Sequence, residues 1–253
     1  MLLSPIRAIA FDLWNTLAAC TSAANPMVRL LEAARAAGAA DPGRLLAEST
    51  MRRPLPGIAE AVREMESRLG RPLARGEERA RLLALWERAC GLNRVFDDVE
   101  PVLRRLRERY RLGLISNTQS FDMEFWRRSP ARGLMEVEIL SCEEGALKPD
   151  RRLFERFAAA LGVAPGHILM VGDNSDDDIR GAQAAGFQAV RIRRPPATLS
   201  HRESGDGDSP IENLEDLERR LGALSDPAAR SREAAAPSRG RRRGAAAARK
   251  KRR

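Results

Sequence analysis

The chain has 253 residues, and 43% of them are hydrophobic. This is enough for the core of one large domain, or for one domain and a second, smaller domain. Its net charge of +9 is typical of nucleic-acid-binding proteins, but residues 227–253 hold 11 Lys or Arg and one acid, Glu233. Residues 1–226 therefore carry a net charge of −1, which places the basicity in a tail and excludes a strongly basic folded part.

The first predicted element is a short strand, Ala8–Phe11, which ends at Asp12. Its unbroken apolar residues are typical of a parallel strand that is buried on both faces. Asp12 then lies at the carboxyl end, and open α/β sheets bind their ligands outside that end. A lone aspartate in this place more often caps a turn, so Asp12 becomes a site candidate only if other groups converge on it.

The segment between this strand and about Val95 is predicted to be helical. Asn25 and Pro26 form an N-cap and N1 pair, and apolar residues recur at helical spacing over 57–69 and 77–90. Three or more amphipathic helices with Gly and Pro breaks predict a small helical bundle.

Alternating helices and strands resume after this insert, and several strands end near polar residues. The run LGLISN ends at Ser116 and Asn117, Lys148 follows the next strand, and the strand after that leads to Asp173 and Asp178. Parallel strands place their carboxyl ends at one edge of the sheet, so we expect these groups to converge.

Together with Asp12, these groups form one electrostatic unit that suits a metal ion and an oxyanion. Four aspartates in the six residues 173–178 repel each other unless a cation lies among them. Lys148 is the only lysine before Lys250, in a chain that otherwise uses arginine, which indicates a need for a compact point charge.

Four segments, DLWNT, LISN, LKPD and GDNSDDDIRGA, resemble in their order the four motifs of the haloacid dehalogenase superfamily, and the resemblance covers roughly residues 5–224. It implies a three-layer α/β fold, with a doubly wound, Rossmann-like parallel sheet and a small α-helical cap of the C1 type inserted after the first strand. The expected domains are a core (1–17 and 95–224), a helical cap (18–94) and a disordered basic Ala/Arg-rich tail (225–253).

The resemblance also implies a site that acts on a small phosphorylated metabolite. Asp12 is the expected nucleophile and forms an aspartyl-phosphate, while Ser116 and Lys148 are the other catalytic residues. Asn117 and Trp14 are expected to contact the substrate. The cofactor is expected to be Mg²⁺, held by the carboxylates of Asp12, Asp173 and Asp178 and by the backbone carbonyl of Trp14.

Trp14 departs from the phosphatase branch, which places a second aspartate two residues after the nucleophile as general acid and base. Indole cannot exchange a proton, and general acid–base catalysis contributes about 10² to 10⁴ in rate, so weak activity on alkyl phosphates is expected. An aromatic residue here is also what the haloacid dehalogenases of the superfamily carry, so C–halogen hydrolysis is the alternative. Those enzymes need no metal, and the acidic run 173–178 favours metal-dependent chemistry.

Two more alternatives concern other parts of the chain. The phosphonatase mechanism of the superfamily needs a lysine in the cap. Residues 18–94 contain no lysine, which excludes this mechanism. A weakly active or non-catalytic relative could instead contact nucleic acid or another polyanion through the tail, 225–253. Three cysteines without metal-ligand spacing, and no membrane-length apolar run or signal-peptide pattern, predict a cytoplasmic protein without a membrane partner.

Overall fold

A parallel five-stranded sheet is at the centre of the protein. The computed structural model describes residues 5–20, 26–194 and 210–225. The strands of this part are β1 (Ala8–Phe11), β2 (Ala18–Cys20), β3 (Asn93–Val95), β4 (Arg111–Ser116), β5 (Val137–Leu140), β6 (Ile168–Gly172) and β7 (Gln188–Arg191). Five of them form the sheet in the order β5-β4-β1-β6-β7, and all neighbours are parallel.

β1 lies in the middle of the sheet, and all four of its side chains are fully buried. Ala8 and Ala10 belong to the same hydrophobic cluster as Phe154 and Phe157, and the alternate side chains of the strand face the opposite side of the sheet. Burial on both faces explains why the strand is apolar throughout. The strand therefore presents Asp12 at its carboxyl end, between β4 and β6.

Helices cover both faces of the sheet and fill the insert. In the described residues they are α1 (Pro26–Ala36), α2 (Pro42–Thr50), α3 (Ile58–Leu69), α4 (Gly76–Cys90), α5 (Val99–Arg107), α6 (Glu124–Arg127), α7 (Ser141–Glu144), α8 (Arg151–Leu161), α9 (Gly181–Ala184) and α10 (Leu214–Ser225). Both α5 and α8 pack against β4. The predicted three-layer α/β fold with a parallel sheet is confirmed.

The insert contains one helix and two short strands that its sequence did not indicate. α1, α3 and α4 match the three predicted helices. α2 was not predicted, although Asp41 caps it by accepting from the N–H of Arg44 over 2.9 Å. The strands β2 and β3 pair antiparallel and were not predicted either, because three residues carry too little pattern. The expected N-cap, Asn25, lies outside the described residues.

The helices of the insert bury one shared hydrophobic cluster, to which Leu30, Val62, Met65 and Trp86 contribute. The chain divides into two compact units, Met1–Leu217 and Glu218–Arg253, so the insert and the sheet fall in the same unit. Of the second unit, the structure describes the last turns of α10. Separate core and cap domains with the predicted boundaries therefore stay a prediction. No helix in the described ranges is long and apolar enough to cross a membrane.

A buried ion pair links the segment after β7 to the start of α5. Arg194 donates from one terminal nitrogen to both carboxylate oxygens of Asp98, at 2.7 and 2.8 Å, and from Nε to the carbonyl of Thr16 at 3.0 Å. Its guanidinium also lies 4.3 Å from the ring centre of Phe96. Asp98 in turn accepts from the backbone N–H of Leu214 over 2.8 Å. One carboxylate thus connects three segments that are distant in sequence.

Removal of this carboxylate is expected to destabilise the protein strongly. Asp98→Ala leaves the buried Arg194 guanidinium without a counter-charge, so the free energy of unfolding should fall by about 3 kcal/mol or more. Urea unfolding of the variant measures this loss. The control is Asp97→Ala, which removes an exposed neighbouring carboxylate and should change the stability by less than about 0.5 kcal/mol. Equal losses in the two variants would contradict the role assigned to the pair.

Candidate active site

Three carboxylates meet where β1 and β6 end. Asp12 directly follows β1, its side chain is buried, and its backbone N–H donates to the carbonyl of Val171 over 2.9 Å. Asp173 follows β6 at once, and Asp178 lies in the helical turn Ser175–Arg180. One carboxylate oxygen from each of the three aspartates lies within 4.8 Å of the others. The carboxyl ends of adjacent strands thus bring together the three residues that the sequence singled out.

Lys148 lies among these carboxylates and is itself buried. Its Nζ donates to Oδ1 of Asp12 at 2.6 Å, to Oδ1 of Asp178 at 2.5 Å and to the carbonyl of Ile115 at 2.9 Å. These bonds use all three protons of the ammonium group. The position and the protonation of the lysine are therefore both fixed by the site.

The charges of the site are unbalanced. Burial raises the pKa of Asp12, Lys148 lowers it, and Asp178 and Asp173 raise it again, with a net upward shift. Burial lowers the pKa of Lys148, but Asp12 and Asp178 raise it by more, so the lysine remains charged. Three clustered carboxylates and the one ammonium group that pairs with two of them carry a net charge of −2 when all are ionised. Hard oxygen donors with this charge fit a divalent cation such as Mg²⁺.

The loop after β6 is shaped to hold Asp178. A Cβ atom on Gly172 would overlap the carboxylate of Asp178, so a side chain at this position would displace the aspartate. The other support is Asn174, whose backbone N–H donates to Asp178 Oδ2 over 3.0 Å. The Asn174 side chain caps the turn by accepting from the N–H groups of Asp176 and Asp177 at 2.9 and 3.0 Å. The motif therefore fixes the direction of the Asp178 carboxylate through its backbone.

Asn117, which was predicted to contact the substrate, is bonded to the backbone of Lys148. Its Oδ1 accepts from the N–H of Lys148 at 2.8 Å, and its Nδ2 donates to the carbonyl of the same residue at 3.2 Å. These bonds connect the loop after β4 to the segment that carries the lysine. Asn117 positions Lys148 in this structure, and its contact with substrate stays a prediction.

Ser116 is the last residue of β4 and is fully buried. Its Oγ has no hydrogen-bond partner in the described part of the chain. A buried hydroxyl without a partner costs free energy, of the order of 1–3 kcal/mol, unless another group supplies the bond. The Ser116 hydroxyl thus lacks a partner within the described residues, and its predicted catalytic role stays a prediction.

The family sequence model described as haloacid dehalogenase-like hydrolase matches residues 6–186. The chain belongs to this family. The match covers β1 and the loops after β4, β5 and β6, and therefore includes all the candidate residues described above.

Curated relatives resemble parts of the chain. A glyceraldehyde 3-phosphate phosphatase from Methanopyrus kandleri is 38% identical over 103 residues, which are 39% of this chain and 43% of the relative. A phosphoserine phosphatase from Thermus thermophilus is 36% identical over 109 residues, which are 35% of this chain and 44% of the relative. The chain thus spans less than half the length of these two relatives.

The fold is shared with enzymes of different activity. A solved structure of a 2-haloacid dehalogenase from Pseudomonas syringae pv. Tomato DC3000 matches with a TM-score of 0.56 and 23% identity, over 87% of this chain and 100% of that chain. At this identity the likeness shows the fold alone. The chemistry of this haloacid dehalogenase-like hydrolase has to be inferred from its own side chains.

Trp14 lies two residues after Asp12, where the phosphatase branch was expected to carry its second aspartate. The indole is half-buried, its Nε1 donates to Oγ1 of Thr118 at 3.0 Å, and its ring centre lies 5.4 Å from that of Phe125. Asn15, with a φ of 57°, turns the chain after it and donates from Nδ2 to Asp173 at 3.2 Å. Asparagine tolerates this left-handed backbone better than most residues. The indole is thus held in place by Thr118 and Phe125.

A cavity of about 220 Å³ opens next to Trp14, between the loops at the strand ends and the helices of the insert. Its described lining is Trp14, Asn15, Cys20, Pro26, Met27, Met51, Trp86, Ala89, Cys90, Asn93, Asn117, Gln119 and Asp122. The sequence had not indicated most of these residues, because their proximity depends on long-range packing of the insert. Asn15 and Thr118 were missed as well, although each lies within two residues of a predicted site residue.

Proposed function

We propose that the protein is a magnesium-dependent phosphatase that hydrolyses a small phosphorylated metabolite through a phosphoryl group on Asp12. The observation that carries this proposal is the cluster of Asp12, Asp173 and Asp178, of which Asp12 and Asp178 pair with the ammonium group of Lys148. The net charge of the cluster would repel a phosphate ester unless a divalent cation were present. The phosphatase names of the partly matching relatives support the same chemistry.

Each side chain of the site has a separate role in the proposed reaction. Mg²⁺, held by Asp12, Asp173, Asp178 and the carbonyl of Trp14, would supply positive charge that stabilises the transferring phosphoryl oxygens. Asp12 attacks the phosphorus with a carboxylate oxygen, the bond to the alcohol oxygen breaks, and water later releases phosphate from Asp12. Lys148 holds the carboxylate of Asp12 in one orientation, and the Ser116 hydroxyl donates to a phosphoryl oxygen.

Protonation of the leaving alcohol is the weak step. Trp14 has no proton to exchange, since its indole N–H is bonded to Thr118 and does not titrate. Esters whose alcohol leaves as a stable anion, such as p-nitrophenyl phosphate, are therefore turned over faster than alkyl esters. The helical insert, residues 18–94, acts as the cap that encloses the substrate over the core of 1–17 and 95–224.

The second candidate is hydrolysis of a carbon–halogen bond. The aromatic wall of Trp14 and the mainly apolar cavity beside it favour this activity. The carboxylates of Asp173 and Asp178 oppose it, because a halide leaving group gains nothing from nearby negative charge. A third candidate is a relative with little turnover whose tail, 225–253, binds a polyanion, and residues 226–253 of this tail lie outside the described residues.

Removal of the metal separates the first two candidates. Phosphate release from p-nitrophenyl phosphate is expected to fall to background after treatment with EDTA and to return when Mg²⁺ is added back. The parallel assay is halide release from 2-chloropropionate with and without the same metal. Metal-independent release of halide, or phosphate release that survives EDTA, would contradict the proposal.

A further inference from the structure

The cavity beside Trp14 is apolar except for a few polar groups. None of the described residues that line it is Lys, Arg or His, and the ionisable carboxyl group among them is Asp122. Two indoles, Trp14 and Trp86, form part of the wall, together with three methionine or proline side chains. Any ligand in this cavity therefore meets one acidic group and no basic one.

Asp122 lies in the turn Ser120–Asp122 after β4 and is 7% exposed. Its Oδ1 accepts from Nε1 of Trp86 at 2.9 Å and from the thiol of Cys90 at 2.8 Å. Among the described residues, no donor bonds to Oδ2 of Asp122 and no cation pairs with its carboxylate. Burial raises the pKa of Asp122, and the bonds from Cys90 and Trp86 lower it again without cancelling the shift. One oxygen of this carboxylate is thus left to a ligand.

Gln119 adds a second polar group to the same wall. It is 2% exposed, and its Nε2 has no hydrogen-bond partner among the described residues. A buried amide donor without a partner costs free energy, as does a buried carboxylate without a counter-charge. Two independent groups, one donor and one acceptor, are therefore both incomplete at this wall of the cavity.

We propose that this cavity binds the alcohol part of the phosphate ester and selects an alcohol that carries a protonated amine, with Asp122 as the specificity-determining residue. The inference rests on the proposed phosphatase activity, because the cavity shares Trp14, Asn15 and Asn117 with the site. The amine donates to Oδ2 of Asp122, and Gln119 donates to an oxygen of the same alcohol.

The negative charge of Asp122 and the aromatic rings in the cavity wall both favour a cationic ligand. A buried carboxylate gains more from an ammonium group than from a neutral hydroxyl, since charge-assisted hydrogen bonds are the stronger ones. The faces of Trp14 and Trp86 also attract a cation through their ring quadrupoles. An ester with a carboxylate or a second phosphate would meet Asp122 without any basic residue to compensate it. The cavity thus excludes doubly anionic esters.

The test uses three phosphate esters of two-carbon alcohols that differ in the charge at the far end. They are O-phosphoethanolamine, ethyl phosphate and phosphoglycolate, and kcat/KM is measured for each with Mg²⁺. The wild type is expected to prefer the amine over the neutral ester by about tenfold or more, and the neutral ester over the carboxylate. In Asp122→Asn the ratio of kcat/KM for the amine to kcat/KM for the neutral ester should fall to about one, because the carboxylate that pairs with the amine is gone. Asp97→Asn is the matched control and should keep the wild-type ratios.

A binding measurement separates this inference from the proposed function. Calorimetric titration with O-phosphoethanolamine should show binding about tenfold weaker in Asp122→Asn than in the wild type, whether or not the ester is turned over. Phosphate release without any preference among the three esters would overturn the inference and leave the phosphatase activity intact. If no phosphate were released from any ester, p-nitrophenyl phosphate included, the proposed phosphatase activity would be wrong. The titration would then test the inference by itself, because equal binding of O-phosphoethanolamine to the wild type and to Asp122→Asn would contradict it. If Asp122→Asn does not fold, the inference is tested by the kcat/KM values of the wild type for the three esters.

Discussion

Asp12→Asn is expected to lower phosphate release from p-nitrophenyl phosphate by a factor on the order of 10⁴ or more. An amide is not a nucleophile toward phosphorus under these conditions, so the covalent step cannot occur. The substitution keeps the size of the side chain, and its Oδ1 can still accept from Lys148. The initial rate of phosphate release at saturating Mg²⁺ measures the loss.

The matched control for this substitution is Asp176→Asn. Asp176 belongs to the same acidic stretch, but its side chain is 65% exposed and paired with Arg180. This control should keep the rate within about twofold, because exposed ion pairs of this kind contribute little. A rate near the wild-type value in Asp12→Asn would mean that another residue is the nucleophile.

Trp14→Asp is expected to raise turnover of an alkyl phosphate, by up to about 10²-fold if the new carboxyl reaches the leaving oxygen. The reason is that the position two residues after Asp12 then supplies a proton to the alcohol. The backbone carbonyl of residue 14 is retained, so the expected metal ligands are unchanged. The gain should be much smaller for p-nitrophenyl phosphate, whose leaving group needs little protonation.

The control for the loss of the indole is Trp14→Asn. It removes the same contacts with Thr118 and Phe125 and has a similar size to aspartate, but it cannot donate a proton as an acid. Removal of a large, half-buried aromatic side chain can cost about 3 to 5 kcal/mol, so thermal unfolding of both variants is needed to show that they fold. Equal rates in the two folded variants would contradict the role assigned to this position. A dehalogenase would instead lose halide release in both.

The convergence of the charged groups was predictable from the sequence because it follows from topology. Asp12, Lys148, Asp173 and Asp178 each follow an apolar strand, and the carboxyl ends of neighbouring parallel strands share one edge. No side-chain detail is needed for this inference. The three-layer fold was predictable for the same reason, since continuous apolar strands that alternate with amphipathic helices are typical of a covered parallel sheet.

The hydrogen bonds of the site were not predictable in the same way. Asn117 was expected to face the substrate, yet its amide bonds to the backbone of Lys148, which is 31 residues further along the chain. The contact of Asp122 with Trp86 spans 36 residues and depends on how α4 packs above the loop after β4. Such contacts leave no periodic pattern in the sequence. The cavity beside Trp14 therefore becomes visible only in three dimensions.

Short elements were missed for a related reason. α2 has nine residues and buries Leu46 as its main apolar side chain, so its helical period is weak, and the pair Asp41 and Pro42 was the available signal. The basic tail, 225–253, was predicted from composition alone; Ser225 ends α10, and residues 226–253 lie outside the described residues. Its contact with nucleic acid or another polyanion therefore stays a prediction.

The indole at position 14 also affects the timing of the proposed reaction. Trp14 cannot act as a base for the water that removes the phosphoryl group from Asp12, just as it cannot act as an acid for the alcohol. With p-nitrophenyl phosphate, which needs no acid, the first step is fast and the second is slow. The phosphorylated form of Asp12 should therefore accumulate during turnover.

The most direct measurement is the mass of the peptide that contains Asp12 after a rapid acid quench. The protein is mixed with p-nitrophenyl phosphate and Mg²⁺, quenched during the first turnovers, digested with pepsin at acid pH and analysed by mass spectrometry. We expect one phosphoryl group on this peptide, which is lost on treatment with hydroxylamine and is absent from Asp12→Asn. Steady phosphate release with the Asp12 peptide at its unmodified mass, or a phosphoryl group on another peptide, would contradict the proposed mechanism.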